Sequence, residues 1–101
     1  MVTKGYIEEM NLREGARIEV DFRDWLYPED KKVYTMNGYF NRRKTLNSES
    51  NQLVLDNLIR RMLKGEKNKE RLELFKDLND REYRKKIPFI YIDEVRKLRL
   101  K

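Results

Sequence analysis

Histidine and cysteine are both missing from these 101 residues. Without an imidazole there is no histidine-built metal site, no histidine general acid or base, and no histidine-dependent triad. Without a thiol there is no disulfide, no thiolate zinc site and no sulfur nucleophile, a composition compatible with a reducing compartment. No glycine motif of the kind that cradles phosphate occurs. No apolar run approaches the roughly 20 residues that cross a membrane, and the N-terminus has no signal-peptide core. The expectation is a cytoplasmic protein without cofactor, metal or membrane partner. Carboxylate chemistry, as a dyad or with bound Mg²⁺, is all that remains for catalysis. Asp21, Asp24, Glu29 and Asp30 gather near one turn, but nothing in their spacing sets a geometry, and a solvated acidic turn is the simpler reading. The chain is therefore expected not to be an enzyme.

Charge is what the chain has in quantity: 42% of residues are charged, against 39% hydrophobic and 11% aromatic. The aromatics argue for a folded chain rather than a disordered one. The length suits a single domain over residues 1–101, able to bury about 65% of its unfolded surface. Lysine and arginine stems would cover the edges of so thin a core. The balance of 24 basic to 18 acidic residues leaves a net charge of +6. Such a surplus favours polyanions, of which nucleic acid is the commonest, although it also serves solubility.

The chain is organised around residues 51–57, where Leu53-Val54-Leu55 stand between Asn51-Gln52 and Asp56-Asn57. A short aliphatic run bounded by turn formers reads as a buried strand. Upstream, Thr3 is a candidate N-cap for a helix over 3–11. That helix carries Tyr6, Ile7 and Met10 on its apolar side and ends at Asn11 or Gly15. From Ala16 to Phe22 apolar and charged residues alternate strictly, which predicts a half-buried strand. Trp25-Leu26-Tyr27 followed by Pro28-Glu29-Asp30 predicts a turn carrying large side chains that cap the core or stack on a ligand.

Asn37-Gly38 fits either a hairpin turn or a bend in one strand that puts Tyr34, Met36, Gly38 and Phe40 on one face. The bend is preferred, because a hairpin would leave strands of only about four or five residues. Residues 41–51 are then the connecting loop. Leu58–Leu63 either extends the central strand or begins a helix, and Leu72, Leu74, Phe75 and Leu78 form an apolar helical face within an insertion over 58–86. Ile87–Ile92 reads as a strand whose proline marks an edge or a strand entry. Asp93-Glu94 reads as a tight turn or bend and Val95–Leu100 as the last strand.

This order of features resembles the Sm-like family, which includes the Sm and LSm proteins and the Hfq-type RNA chaperones. The likeness runs from about Leu12 to Leu100 without the insertion. It rests on Gln52-Leu53-Val54-Leu55-Asp56, similar to the family's Asn-Leu-Val-Leu-Asp, and on Ile90-Tyr91-Ile92-Asp93-Glu94-Val95, similar to its second motif. The chain departs from the family in having Gln52 for the uridine-gripping asparagine and Tyr91-Ile92 for an Arg-Gly pair. The acidic residue of its longer 41–51 loop is Ser48 or Glu49 only by position.

The resemblance implies a mainly β fold: a small, strongly bent, five-stranded SH3-like or Sm-like barrel with an N-terminal helix and a helical insertion. It implies a homo-oligomeric ring that binds single-stranded RNA. Arg42, Arg43 and Lys44 would then supply cations for phosphates, while Tyr39, Gln52 and Tyr91 would supply stacking and base-edge contacts. Ile90 and Ile92 would form the oligomer interface along an edge beginning at Pro88. The alternative is a protein-interaction or small-ligand module, of viral or mobile-element type, whose partner surface is the 58–86 insertion. Arg60-Arg61 and Arg81, Arg84, Lys85 and Lys86 form a second basic group around that insertion.

Overall fold

The computed structural model describes residues 2–23, 31–63 and 86–98. Expectations for Trp25 to Asp30, for the helical face around Phe75 and for residues 99–101 lie outside the described residues, as do those for the side chains of 57–63.

Helix α1 spans Lys4–Glu9, and Thr3 caps it by accepting the amide of Tyr6 at 3.2 Å. It ends at Asn11, whose φ of 52° is the left-handed conformation that asparagine tolerates better than most residues. Ile7 is buried and Met10 partly so, but Tyr6 is exposed, contrary to expectation. Adjacent helical positions point about 100° apart, so one short helix cannot seat both Tyr6 and Ile7 on the same ridge. Gly15, at φ 78°, donates to Phe40 O and leads into strand β1, Arg17–Arg23.

Ile18, Val20 and Phe22 of β1 are fully buried in the core. The alternation predicts a wet opposite face, and there Asp21 is the exception: it is 0% exposed. Strand β2, Val33–Phe40, runs unbroken through Asn37-Gly38, so the single-strand reading holds and no hairpin forms there. Asn37 already pairs with Glu19 on one side and Arg60 on the other. The β2–β3 register then slips: Asn37 faces Arg60 and Tyr39 faces Asp56, so residues 57–59 bulge opposite Gly38. A bulge of this kind sharpens the local twist.

The stretch read as a loop contains a helix, α2, over Arg42–Leu46. Its single turn is too short for apolar periodicity to reveal. Strand β3, Gln52–Leu63, begins with the organising run and continues through 58–63 as strand. Leu53 and Leu55 face the core, and Val54 is buried on the other side. There Thr45 of α2 accepts its amide at 2.9 Å. Cover on both faces is the reason three aliphatics occur in a row rather than alternating.

Strand β4 is only Lys86–Pro88, pairing Leu53 with Ile87 and Gln52 with Pro88. Phe89–Tyr91 form a 3-10 turn, and β5 runs Ile92–Lys97. The expected strand over 87–92 is thus broken, and the turn falls at Phe89–Tyr91 instead of Asp93-Glu94. The amide of Phe89 is taken by Asn51 O at 3.0 Å, and proline has no amide with which to extend the ladder. The irregularity at Asp93 survives as a bulge, because Phe22 pairs with Ile92 and Asp21 with Glu94.

The five strands form one antiparallel sheet in the order β4-β3-β2-β1-β5. Its two edge strands are consecutive in the chain and only the 3-10 turn separates them. The step from Pro88 to Ile92 reaches at most about 14 Å, whereas edge strands of a flat five-stranded sheet lie about 19 Å apart. The sheet must therefore curl, and the core of Ile7, Leu12, Phe22, Phe40, Leu55 and Ile92 fills the concave side.

Candidate functional site

Asn41 builds the local scaffold. Its Oδ1 accepts the amide of Lys44 at 2.9 Å, the N-cap bond of α2, while its Nδ2 donates to Asp56 Oδ2 at 3.1 Å. One side chain thus starts the helix and ties it to β3. Thr45, fully buried, adds the bond to Val54. A helix too short to be stable alone is held by these two anchors.

The three basic residues of α2 differ in what they do. Arg42 is committed to the fold: its amide donates to Glu14 Oε2 at 2.6 Å and its guanidinium to Leu12 O at 2.9 Å. Arg43 and Lys44 are exposed, and their side chains have no hydrogen bond or ion pair among the described residues. Beside them lies an open hollow of about 290 Å³ bordered by Lys44, Asn47, Glu49, Gln52 and Lys86. Three elements meet there, α2 and β3, which are near neighbours in the chain, and the distant β4. Of Ser48 and Glu49, it is Glu49 that borders the hollow. Ser50 stiffens the approach, donating through Oγ to Gln52 O at 2.9 Å.

Tyr39 and Tyr91 are not part of this hollow. Tyr39, 37% exposed, sits opposite Arg17 in the β1–β2 register and borders another depression, with Arg13 and Lys97. Tyr91 lies at the other end of β1, where the guanidinium carbon of Arg23 is 5.7 Å from its ring centroid. Arg23 also donates to Ile90 O at 2.9 Å, which holds it over that ring. Ile90 is 58% exposed but Ile92 is fully buried in the core, so Ile92 has no side-chain surface to offer a second copy.

Of the expected acidic turn, only Asp21 falls among the described residues. Asp21 is no solvated carboxylate: Thr35 donates to it at 2.8 Å and Arg96 at 2.7 Å. Asp24, Glu29 and Asp30 lie outside the described residues. Among the described residues, no group of three acidic side chains is placed to hold a metal ion, and no helix is long and apolar enough to cross a membrane.

Comparison with protein-family models, curated proteins and solved structures returns no match for this chain.

The residues that sequence reasoning undervalued are Lys86, read only as part of a basic run, and Arg17, read only as the wet side of a strand. Both gain their neighbours through strand register. Only a correct pairing of β3 with β4, and of β1 with β2, would have exposed them.

Proposed function

We propose that this chain is a non-catalytic subunit that binds single-stranded RNA through α2 and the hollow beside it, on an SH3-like five-stranded barrel. The observation that carries the reading is the convergence of Lys44, Gln52 and Lys86 on one open hollow, with Arg43, the chain neighbour of Lys44, lacking a side-chain partner among the described residues. Cations answer phosphates, and an amide can pair with a base edge without requiring a duplex groove. The absence of histidine and cysteine supports a binding role over a catalytic one.

Support for the barrel comes from the strand order and from the three-residue link between the sheet's edges. The Sm-like reading draws on the same order and on the Gln52–Asp56 run lying at the head of β3. It extends to a cytoplasmic homo-oligomer in which the edge strands β4 and β5 of neighbouring copies pair beside the exposed Ile90.

Anisotropy titration of labelled oligo-U and of duplex DNA over a range of salt concentrations tests the function. Salt-sensitive binding of oligo-U and weaker binding of the duplex are expected. Equal affinity for both, or none for oligo-U, overturns it. Sedimentation velocity tests the oligomer, and a monomer at high concentration removes the ring.

A further inference from the structure

The outer face of the sheet carries a row of side chains that the α2 hollow does not use. Tyr39 faces Arg17 directly across the β1–β2 ladder, and the amide of Leu98 donates to Arg17 O at 3.0 Å, which sets Leu98 on the far side of Arg17. Directly opposed residues in a sheet share a face. Tyr39, Arg17 and Leu98 therefore line one depression, which Arg13 and Lys97 complete.

Two features mark this depression as built for a ligand. Arg13, Arg17 and Lys97 have no counter-ion among the described residues, and the Nε of Arg17 is shut off from solvent with no acceptor. The carboxylates nearby are engaged already: Glu14 accepts the Arg42 amide, and Asp56 accepts Asn41. An exposed aromatic ring among unpaired cations is the combination that holds a base and its flanking phosphates.

The depression is also linked to the first hollow through shared lining residues. Glu14 borders it and borders the shallow hollows on α2 shared by Arg43 and Asn47; Lys44 and Asn47 in turn border the Gln52 hollow. Along β3 the distance from Asp56, opposite Tyr39, to Gln52 is about 13 Å, a span that a short single strand can cover.

We infer that the Tyr39–Arg17 depression is a second nucleotide subsite, in which Tyr39 stacks on a base while Arg17, Arg13 and Lys97 hold its phosphates, so that one single strand runs from it across α2 to the Gln52 hollow. This rests on the reading of the chain as a single-strand binder.

Oligo-U of three and of twelve nucleotides is titrated against wild type, Tyr39→Ala, Tyr39→Phe and the Lys44→Ala/Lys86→Ala double variant. Tyr39→Ala is expected to weaken the longer strand about tenfold, with Tyr39→Phe near wild type because it keeps the ring. The loss on the longer strand is expected to exceed that on the trinucleotide, which cannot span both sites. If Tyr39→Ala leaves the longer strand unchanged while Lys44→Ala/Lys86→Ala weakens it, the second subsite is rejected and the first reading stands. If wild type binds neither oligonucleotide, the first reading fails and takes the subsite with it. Polyglutamate displacing the longer strand as well as unlabelled oligo-U does would mean that the cations act alone and Tyr39 stacks on nothing.

Discussion

Arg96 grips the carboxylate of Asp21 with two hydrogen bonds of 2.7 Å, one from each terminal nitrogen. The pair joins β1 to β5, and Glu19 and Glu94 approach the same guanidinium at 2.6 and 3.0 Å. Asp21 is completely buried whereas Arg96 still reaches solvent, so the two partners are not equivalent.

Removing the arginine strands a buried charge. Arg96→Met is expected to destabilise the protein by about 3 kcal/mol, read as a lower urea midpoint with unchanged slope. The Arg96 pKa is raised above its ordinary value, chiefly by the hydrogen bonds to Asp21, against the opposing effect of burial and with Glu19 adding. A cation whose folded-state pKa is raised stabilises the fold at every pH below its unfolded value, and the contribution fades only as pH climbs through the folded value. The stability difference between wild type and Arg96→Met should therefore stay level from about pH 7 to pH 10. A steady loss across that range would show that another titrating group governs the pair.

Thr45 and Val54 offer a more local test. Thr45→Val keeps the shape but leaves the buried Val54 amide without its acceptor, a cost of about 1–3 kcal/mol. Hydrogen exchange at Val54 should accelerate. Wild-type exchange there would mean that the Thr45 hydroxyl does not hold α2 to β3.

The basic residues of α2 should separate into two behaviours. Arg43→Ala and Lys44→Ala should leave stability unchanged and each flatten the salt dependence of oligo-U binding by about 0.7 log unit for a lost phosphate contact. Arg42→Ala should lower the melting temperature through loss of its bond to Leu12 O while changing the salt slope least. The reverse pattern would place the phosphate contact on Arg42.

Ile90 and Ile92 make a matched pair for the oligomer. Ile90→Glu, at an exposed position, should dissociate any oligomer built on that edge without loss of melting temperature. Ile92→Ala removes fully buried volume and should cost about 2–5 kcal/mol whatever the oligomeric state. An oligomer that survives Ile90→Glu is not assembled through that edge.

Much of the fold was legible because it rests on local rules. The Thr3 cap, the alternation of Ile18, Val20 and Phe22, and the triple aliphatic run at Leu53–Leu55 each announce an element through chemistry within a few residues. Helix α2 escaped because one turn carries too little periodicity, and the Phe89–Tyr91 turn escaped because Ile87–Ile92 has strand composition throughout. Of the candidate site residues, Lys44 and Gln52 border one hollow, while Tyr39 borders another depression and Tyr91 lies under Arg23, a separation that no local pattern announces.

The sequence by itself determined which chemistry is open to this protein, through its missing imidazole and thiol groups and its cationic surplus, and where the alternating and aliphatic strand segments begin. Only the tertiary structure decided which charges are spent on the fold and which remain for a ligand. Arg42 and Arg43 are identical neighbours in the chain, yet one is bonded to Leu12 and the other has no side-chain partner among the described residues. Partners of that kind come from register and curvature, which bring together residues tens of positions apart, and no local pattern records them.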